Sequence, residues 1–141
     1  MITPDRKDWP SLYIGMPWVS GGRGPSSFDC WGFVWWVYKT HFGILLPCYP
    51  GVEATDRKAC LEAFSDIEQK APGLCFSLAT KGSEGAGVAM GGCEKTTHVG
   101  IFTELDGGLI IHCQGAAGVI ASTESELRRQ GIRKFIYFSH P

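Results

Sequence analysis

The sequence lacks the features that mark a membrane protein or a nucleic-acid binder. No apolar run approaches the length of about 20 residues that a transmembrane helix needs. The 13 Lys and Arg residues nearly balance the 14 Asp and Glu residues, so no charge surplus indicates nucleic acid or an anionic membrane as a partner. The first ten residues contain no apolar segment of a signal peptide. We therefore expect no membrane or nucleic-acid partner, and synthesis in the cytoplasm.

The sequence also lacks a Cys-x-x-Cys pair, although it contains six cysteines. Their spacing is scattered, and a chain of 141 residues can bury a core without disulfides, so we expect reduced thiols. A metal site built from Cys93, His98, His112 and Cys113 is an alternative. It is disfavoured because His112 and Cys113 are adjacent and would point to opposite faces of a strand. We expect no metal and no cofactor.

The length predicts one domain over residues 1–141, and no internal repeat divides it. Helical patterns lie mainly in the first half and strand patterns in the second, which favours an α+β fold with an antiparallel sheet. The apolar periodicity and the turn residues predict a helix over 53–69, strands over 74–78, 97–103, 109–114, 118–122 and 132–138, and a short helix that ends near 128–129.

One glycine-rich segment has no clear strand or helix pattern. Residues 81–95 contain five glycines and directly precede His98, which predicts a mobile loop. Its position also suggests a lid over a cleft, as a hypothesis.

A cysteine stands at the predicted start of a strongly apolar helix. Asp29 is a good N-cap because its carboxylate can accept bonds from the free N–H groups of the first turn. Cys30 follows, then an apolar run, and Gly43 suits the left-handed residue that ends a helix. The positive end of the helix dipole lowers the pKa of a thiol placed there and favours the thiolate. A small cysteine in a core helix is the alternative interpretation.

Two histidines can share one face of the predicted hairpin. His98 and His112 have the same parity, so antiparallel pairing places both on the same side of the sheet. They are directly opposite only if the turn centres on Leu105, which would require a bulge because the Asp-Gly-Gly signal lies later. Each could instead be a structural histidine, and His41 and His140 are interpreted as surface or helix-end residues.

Together these residues supply the parts of a thiol hydrolase. The Cys30 thiolate would attack, and His98 would take the thiol proton and return it to the leaving amine. His112 would bond the far nitrogen of His98 and fix its tautomer. The Cys30 backbone N–H, at the helix N-terminus, would stabilise the oxyanion.

The quoted residues resemble the NlpC/P60 cysteine peptidases from about residue 12 to the end of the chain. The resemblance implies a papain-like α+β fold, in which N-terminal helices include a catalytic-cysteine helix packed on an antiparallel β-sheet. It also implies hydrolysis of peptidoglycan stem peptides, commonly at the γ-D-glutamyl–diaminopimelate bond, with Cys30, His98 and His112 as the catalytic residues. The matching motifs are Tyr13-Ile14-Gly15-Met16-Pro17-Trp18, Gly21-Gly22-Arg23-Gly24-Pro25, Phe28-Asp29-Cys30-Trp31-Gly32-Phe33-Val34, His98-Val99-Gly100-Ile101-Phe102 and Ile111-His112-Cys113.

The chain departs from the family pattern around the cysteine. The family's Asp and following Ser help to bind a free substrate amine; here Asp29 remains, and Trp31 replaces the serine. Trp18 stands where the family has an active-site tyrosine. We therefore expect Asp29, Trp31 and Trp18 to contact substrate, with amine recognition weakened.

The Asp-Cys-Trp-Gly sequence resembles the branch of the family found in phage tail proteins. That resemblance implies a phage-tail or prophage component, with phage tail proteins as partners and a place in the virion. Two alternatives are a papain-like amidase or acyl transferase of other specificity, and a structural tail-tip module with little activity.

Overall fold

The structure, a computed structural model, describes residues 6–45, 77–79, 83–92 and 96–139. The predicted helix over 53–69, Cys93 and His140 lie outside these residues. A 3₁₀ helix over Arg6–Leu12 opens the described part of the chain. The remaining elements are α1 (Cys30–Val37), β1 (Ser77–Ala79), β2 (Gly87–Gly91), β3 (Thr96–Thr103), β4 (Leu109–Gln114), β5 (Gly118–Ser122), α2 (Glu124–Arg129) and β6 (Lys134–Ser139).

Helix α1 begins at the residue that the sequence predicts, and the helical turn that continues it ends at the predicted glycine. The Asp29 carboxylate accepts a bond of 2.7 Å from the Gly32 N–H, which is the capping contact that a first turn needs. A π-helical turn over Tyr38–Phe42 continues α1, and Gly43 ends it with a left-handed φ of 68°. No helix in the described part of the chain is long and apolar enough to span a membrane.

The six strands form one antiparallel sheet in the order β1-β6-β2-β3-β4-β5. Helix α1 packs against β3 and β4, and one buried cluster joins its apolar residues to those of the sheet, such as Val34 to Ile101. A second buried cluster includes Leu127 of α2 and Ile110 of β4. This is the α+β, papain-like arrangement that the sequence predicts.

The prediction of a mobile loop over residues 81–95 is wrong for the part that forms β2. This strand pairs with β3 on one side and with β6 on the other, and all five of its residues are buried. Glycine at position 87 has a structural reason, because a Cβ there would lie 3.2 Å from the Tyr38 Oη. A central strand cannot open as a lid, so the lid hypothesis fails for these residues.

The β3–β4 hairpin has the predicted strands with a different register. Ile101 pairs with Ile111 and Thr103 with Leu109, which centres the turn on Asp106 and not on Leu105. Asp106 and the two glycines after it have φ values of 51°, 83° and 117°, so the Asp-Gly-Gly signal sits where positive φ is needed. His98 and His112 are therefore diagonal neighbours and not directly opposite.

The close approach of the segment before α1 predicts a large effect for Gly32→Ala. A Cβ at Gly32 would lie 1.8 Å from the Gly22 backbone oxygen, and a backbone atom cannot move aside as a flexible side chain can. We expect the free energy of unfolding to fall by about 3 kcal/mol or more, measured by urea denaturation. Gly115→Ala is the control because a Cβ there meets nothing within 4 Å. Equal stability of the two variants would contradict this packing.

Candidate active site

The predicted nucleophile lies at the first position of α1. Cys30 is buried, with 6% of its surface exposed, in the same cluster as Val99, the residue after His98. Helix α1 packs on β3 and β4, the two strands that carry His98 and His112. The Cys30 backbone N–H as an oxyanion donor stays a prediction.

The Asp29 carboxylate joins the segment around Gly21 and Arg23 to the start of α1. Its Oδ1 accepts bonds from the Gly32 N–H at 2.7 Å and from Arg23 Nη1 at 2.8 Å. Its Oδ2 accepts a bond from the Gly21 N–H at 3.2 Å. Asp29 is only 2% exposed, and Arg23 compensates its charge. A role for Asp29 in binding a substrate amine stays a prediction, and any such amine would meet a carboxylate that already has a cationic partner.

The two tryptophans of the predicted substrate site differ in burial. Trp31 is 5% exposed and belongs to the core cluster around α1. Trp18 is half-buried, packs against that cluster and forms a backbone bridge with Phe28. Trp18 therefore presents surface that a ligand can contact, whereas Trp31 presents little. Substrate contact stays a prediction for both side chains.

The two histidines of the hairpin are joined by a hydrogen bond. His98 Nε2 and His112 Nδ1 lie 2.8 Å apart, and the rings meet edge to face. This bond leaves His98 Nδ1 as the ring nitrogen that can exchange a proton with a thiol. The structure thus brings His98 and His112 into hydrogen-bond contact, as the sequence predicts.

Gly100 and a β-bulge make the diagonal contact between the histidines possible. A Cβ at Gly100 would lie 2.8 Å from the Ile111 backbone oxygen and 3.1 Å from the His112 Cβ. Glycine at position 100 therefore lets β3 approach β4 closely at His112. Met90 pairs with His98 but Gly91 pairs with Thr96, so β3 has one extra residue directly before His98. Such a bulge bends the strand and re-aims the next side chain.

Burial keeps the histidine pair uncharged at neutral pH. It lowers the pKa of His98 well below the ordinary value for histidine, and the nearby His112 lowers it further. Burial also lowers the pKa of His112. A neutral imidazole has one N–H and one lone pair. His98 can therefore act as a base, provided that the lone pair is on Nδ1.

The metal alternative has no support among the described residues. None of them form a group of three or more His, Cys, Asp or Glu side chains suited to a metal ion, and Cys93 lies outside them. Cys113 points away from His112, as predicted: its Sγ donates to the Phe28 backbone oxygen at 3.3 Å and joins the cluster around α1.

His41 lies at the end of the helical segment, as one of its two interpretations predicts, but it is not a surface residue. His41 is in the π-helical turn after α1, but it is only 4% exposed, and its Nε2 lies 2.7 Å from the Tyr13 Oη. The contact with Tyr13 could not be predicted from the sequence, because the two residues are 28 positions apart and only the fold brings them together. Burial lowers the pKa of His41 below its ordinary value.

The burial of His41 predicts that acid destabilises the fold. Since the folded-state pKa is below the unfolded value of about 6.5, the unfolded chain binds more protons as the pH falls. His41 therefore contributes its full stability above about pH 6.5 and loses it as the pH drops toward the folded pKa. We expect His41→Gln to flatten the decline of the unfolding free energy between about pH 7 and pH 5. Lys39→Gln, an exposed neighbour in the same turn, should leave the slope unchanged; equal slopes in all three proteins would contradict the prediction.

The fold and the site together define a class of protein. An antiparallel sheet with a cysteine-bearing helix packed on it, and with a bonded histidine pair in adjacent strands, belongs to the papain-like α+β domains. The model of the NlpC/P60 family matches residues 15–136. The chain belongs to the NlpC/P60 family.

Several solved structures share this fold. The NlpC/p60 domain of the peptidoglycan hydrolase SagA is 24% identical, with a TM-score of 0.56 and 91% of each chain covered. NlpC2 from Trichomonas vaginalis is 16% identical, with a TM-score of 0.62, and 95% of this chain covers 46% of that one. An NLP/P60-family protein from Staphylococcus aureus, similar to a lipoprotein, is 20% identical, with a TM-score of 0.56, and the whole of this chain covers 44% of it. No match was found among proteins of curated function.

Family membership supports a cysteine-type cell-wall peptidase. The family match covers most of the described strands and both parts of the candidate site, which are α1 and the β3–β4 hairpin with its two histidines. The finer identity of the substrate depends on the side chains around Cys30.

Proposed function

We propose that the protein is a cysteine peptidase that hydrolyses peptidoglycan stem peptides. The bond that we propose is of the γ-D-glutamyl–diaminopimelate type, and the catalytic residues are Cys30, His98 and His112. Family membership supports the activity, and the SagA domain, a similar fold, belongs to a peptidoglycan hydrolase. The observation that carries the proposal is the 2.8 Å bond between the histidine rings, on the sheet against which the cysteine helix packs.

The proposed reaction begins with proton transfer from the Cys30 thiol to His98 Nδ1. The thiolate attacks the amide carbon, and the electron pair of the C=O bond moves to the oxygen. N–H groups at the start of α1 stabilise that oxyanion. His98 protonates the amine nitrogen as the C–N bond breaks, which leaves a thioester on Cys30.

Water completes the reaction. His98 takes a proton from the water as its oxygen attacks the thioester carbon. Collapse of the second oxyanion breaks the C–S bond and releases a carboxylic acid and the Cys30 thiolate, which takes the proton back from His98. The positive charge on His98 is transient, and His112 stabilises it by accepting the Nε2–H bond. Whenever His98 acts as a base in this reaction, its lone pair must be on Nδ1.

The test of the proposed substrate is mass spectrometry of defined muropeptides after incubation with the full chain. Substrates with and without diaminopimelate, each with a γ-D-glutamyl linkage, distinguish recognition of the γ-D-glutamyl bond from recognition of the diaminopimelate side chain. We expect one product pair that corresponds to cleavage after γ-D-glutamate. Cleavage at another amide would move the protein to a different specificity, and no cleavage of any muropeptide would overturn the proposed function.

One observation favours a second candidate, a papain-like amidase or acyl transferase of other specificity. Trp31 is buried where the family has a polar serine, and Arg23 already pairs with the Asp29 carboxylate at 2.8 Å. A free substrate amine beside the cysteine therefore has fewer polar side chains to bind here than the family pattern offers. Acetylation of that amine in the test muropeptide distinguishes the two: unchanged cleavage favours the second candidate.

We also propose that the protein is synthesised in the cytoplasm and carried by a phage tail. The support is the Asp-Cys-Trp-Gly sequence around Cys30. Peptide mass spectrometry of purified virions from a host that carries the gene tests this. The protein should be present in tail fractions, and its absence from them would contradict the proposal.

A further inference from the structure

The histidine pair has a third polar partner in the next strand. Ser122 Oγ lies 3.0 Å from His112 Nε2, so His98, His112 and Ser122 form one continuous chain of hydrogen bonds across β3, β4 and β5. His112 has no exposed surface, and Ser122 is 4% exposed. Ile110 is the residue of β4 that pairs with Ser122, so the serine reaches His112 diagonally, as His98 does from the other side.

The positions of the heavy atoms admit two directions for the protons of this chain. In the first, His98 Nε2–H donates to His112 Nδ1, and His112 Nε2–H donates to Ser122 Oγ. In the second, the Ser122 hydroxyl donates to His112 Nε2, and His112 Nδ1–H donates to His98 Nε2. The second direction places the proton of neutral His98 on Nδ1. Only the first leaves a lone pair there to receive a proton from a thiol.

We propose that Ser122 is a positioning residue that holds His98 in the base-competent tautomer by accepting the His112 Nε2–H bond. This inference deepens the proposed function, because it specifies how the base of that same site is oriented. His112 is fully buried, His98 is half-buried, and burial lowers the pKa of both, so at neutral pH neither ring satisfies both nitrogens by taking an extra proton. With the Ser122 hydroxyl as acceptor, both rings carry hydrogen on Nε2; with it as donor, both carry hydrogen on Nδ1.

A hydroxyl suits this position because it can accept a hydrogen bond without carrying a charge. A carboxylate beside a fully buried histidine would need compensation for its desolvation, and a backbone oxygen would be fixed in direction. Without the hydroxyl, His112 Nε2–H would be a buried donor with no acceptor, which is costly. The first direction would carry this cost, whereas the second would leave only an unused lone pair on His112 Nε2, so His98 would populate the tautomer that carries the Nδ1 proton.

The test is nitrogen NMR of the full chain labelled with ¹⁵N-histidine, recorded above pH 7 without substrate. Long-range ¹H–¹⁵N correlations identify the protonated nitrogen of each ring. We expect wild-type His98 and His112 to be Nε2–H tautomers, and Ser122→Ala to shift a measurable fraction of His98 to Nδ1–H. Ser122→Thr, which keeps the hydroxyl, should restore the wild-type tautomer.

A matched control separates tautomer control from general stability. Thr103 is a buried residue of β3 whose hydroxyl bonds Glu84 and not a histidine, so Thr103→Val should reduce stability without moving either tautomer. Wild-type His98 found as the Nδ1–H tautomer would overturn the proposal, whether or not Ser122→Ala folds. An unchanged His98 tautomer in folded Ser122→Ala would also overturn it.

The kinetic consequence is a loss in kcat with little change in KM. We expect kcat of Ser122→Ala on the cleaved muropeptide to fall about tenfold, because one buried bond orients the base, and Ser122→Thr to recover most of it. The NMR measurement needs no substrate, so it still tests the role of Ser122 if the protein cleaves no muropeptide. A wild-type enzyme that cleaves no muropeptide but shows the expected tautomers would refute the function and support the role of Ser122.

Discussion

Cys30→Ala should abolish muropeptide cleavage while the domain stays folded. Loss of the nucleophile removes the covalent step, and binding with oxyanion contacts alone cannot replace it, so kcat should fall by roughly 10⁵-fold or more. The stability cost should be about 1 kcal/mol, because the thiol is a small side chain in the core. Product formation followed by mass spectrometry and a urea unfolding curve measure the two effects separately.

The control for this variant is another buried thiol of the same core. Cys113 bonds the Phe28 backbone oxygen and joins the cluster that contains Cys30, so Cys113→Ala changes packing nearby and leaves the nucleophile in place. It should keep most of the wild-type kcat. Full cleavage activity in Cys30→Ala would remove the thiol from the mechanism.

The second large effect is expected for His98→Ala. General acid–base catalysis contributes about 10²–10⁴-fold, and here one residue serves both the attack and the departure of the amine. We expect kcat to fall by about 10³-fold, with KM nearly unchanged because His98 acts on the reacting atoms. Added imidazole should restore part of the rate by entering the space that the ring vacates.

His41→Gln is the matched control for His98→Ala. Both residues are histidines that hydrogen-bond one aromatic ring, His41 with Tyr13 and His98 with His112. Only His98 lies in the hairpin on which α1 packs. A fall in kcat of equal size in both variants would show that the loss comes from a perturbed fold, and would contradict a specific role for His98.

The elements of the site with local signals were predictable from sequence. The Asp29 cap and the Gly43 terminus bound the cysteine helix through contacts within a few residues, and both occur as predicted. The shared parity of His98 and His112 follows from the alternation of a strand, and it survives a shift in the turn. For these reasons the family motifs and the physical patterns agreed on the same three residues.

The elements set by long-range packing were not predictable in the same way. Gly87 of β2 lies next to Tyr38, where a Cβ would lie 3.2 Å from the hydroxyl oxygen. Such a contact between distant parts of the chain is not visible in the sequence, where the glycine indicates a loop. The contact between Ser122 and His112 likewise needs the register of β4 and β5, which a single sequence does not reveal.

The central claim is that Cys30 is a nucleophile activated by His98. The most direct test is the pH dependence of iodoacetamide alkylation, followed thiol by thiol with peptide mass mapping. We expect Cys30 to react well below pH 8 and to lose that reactivity in His98→Ala. Cys113 is the internal reference because burial raises its pKa to about 12. A Cys30 profile that follows Cys113, or that is unchanged in His98→Ala, would contradict the account.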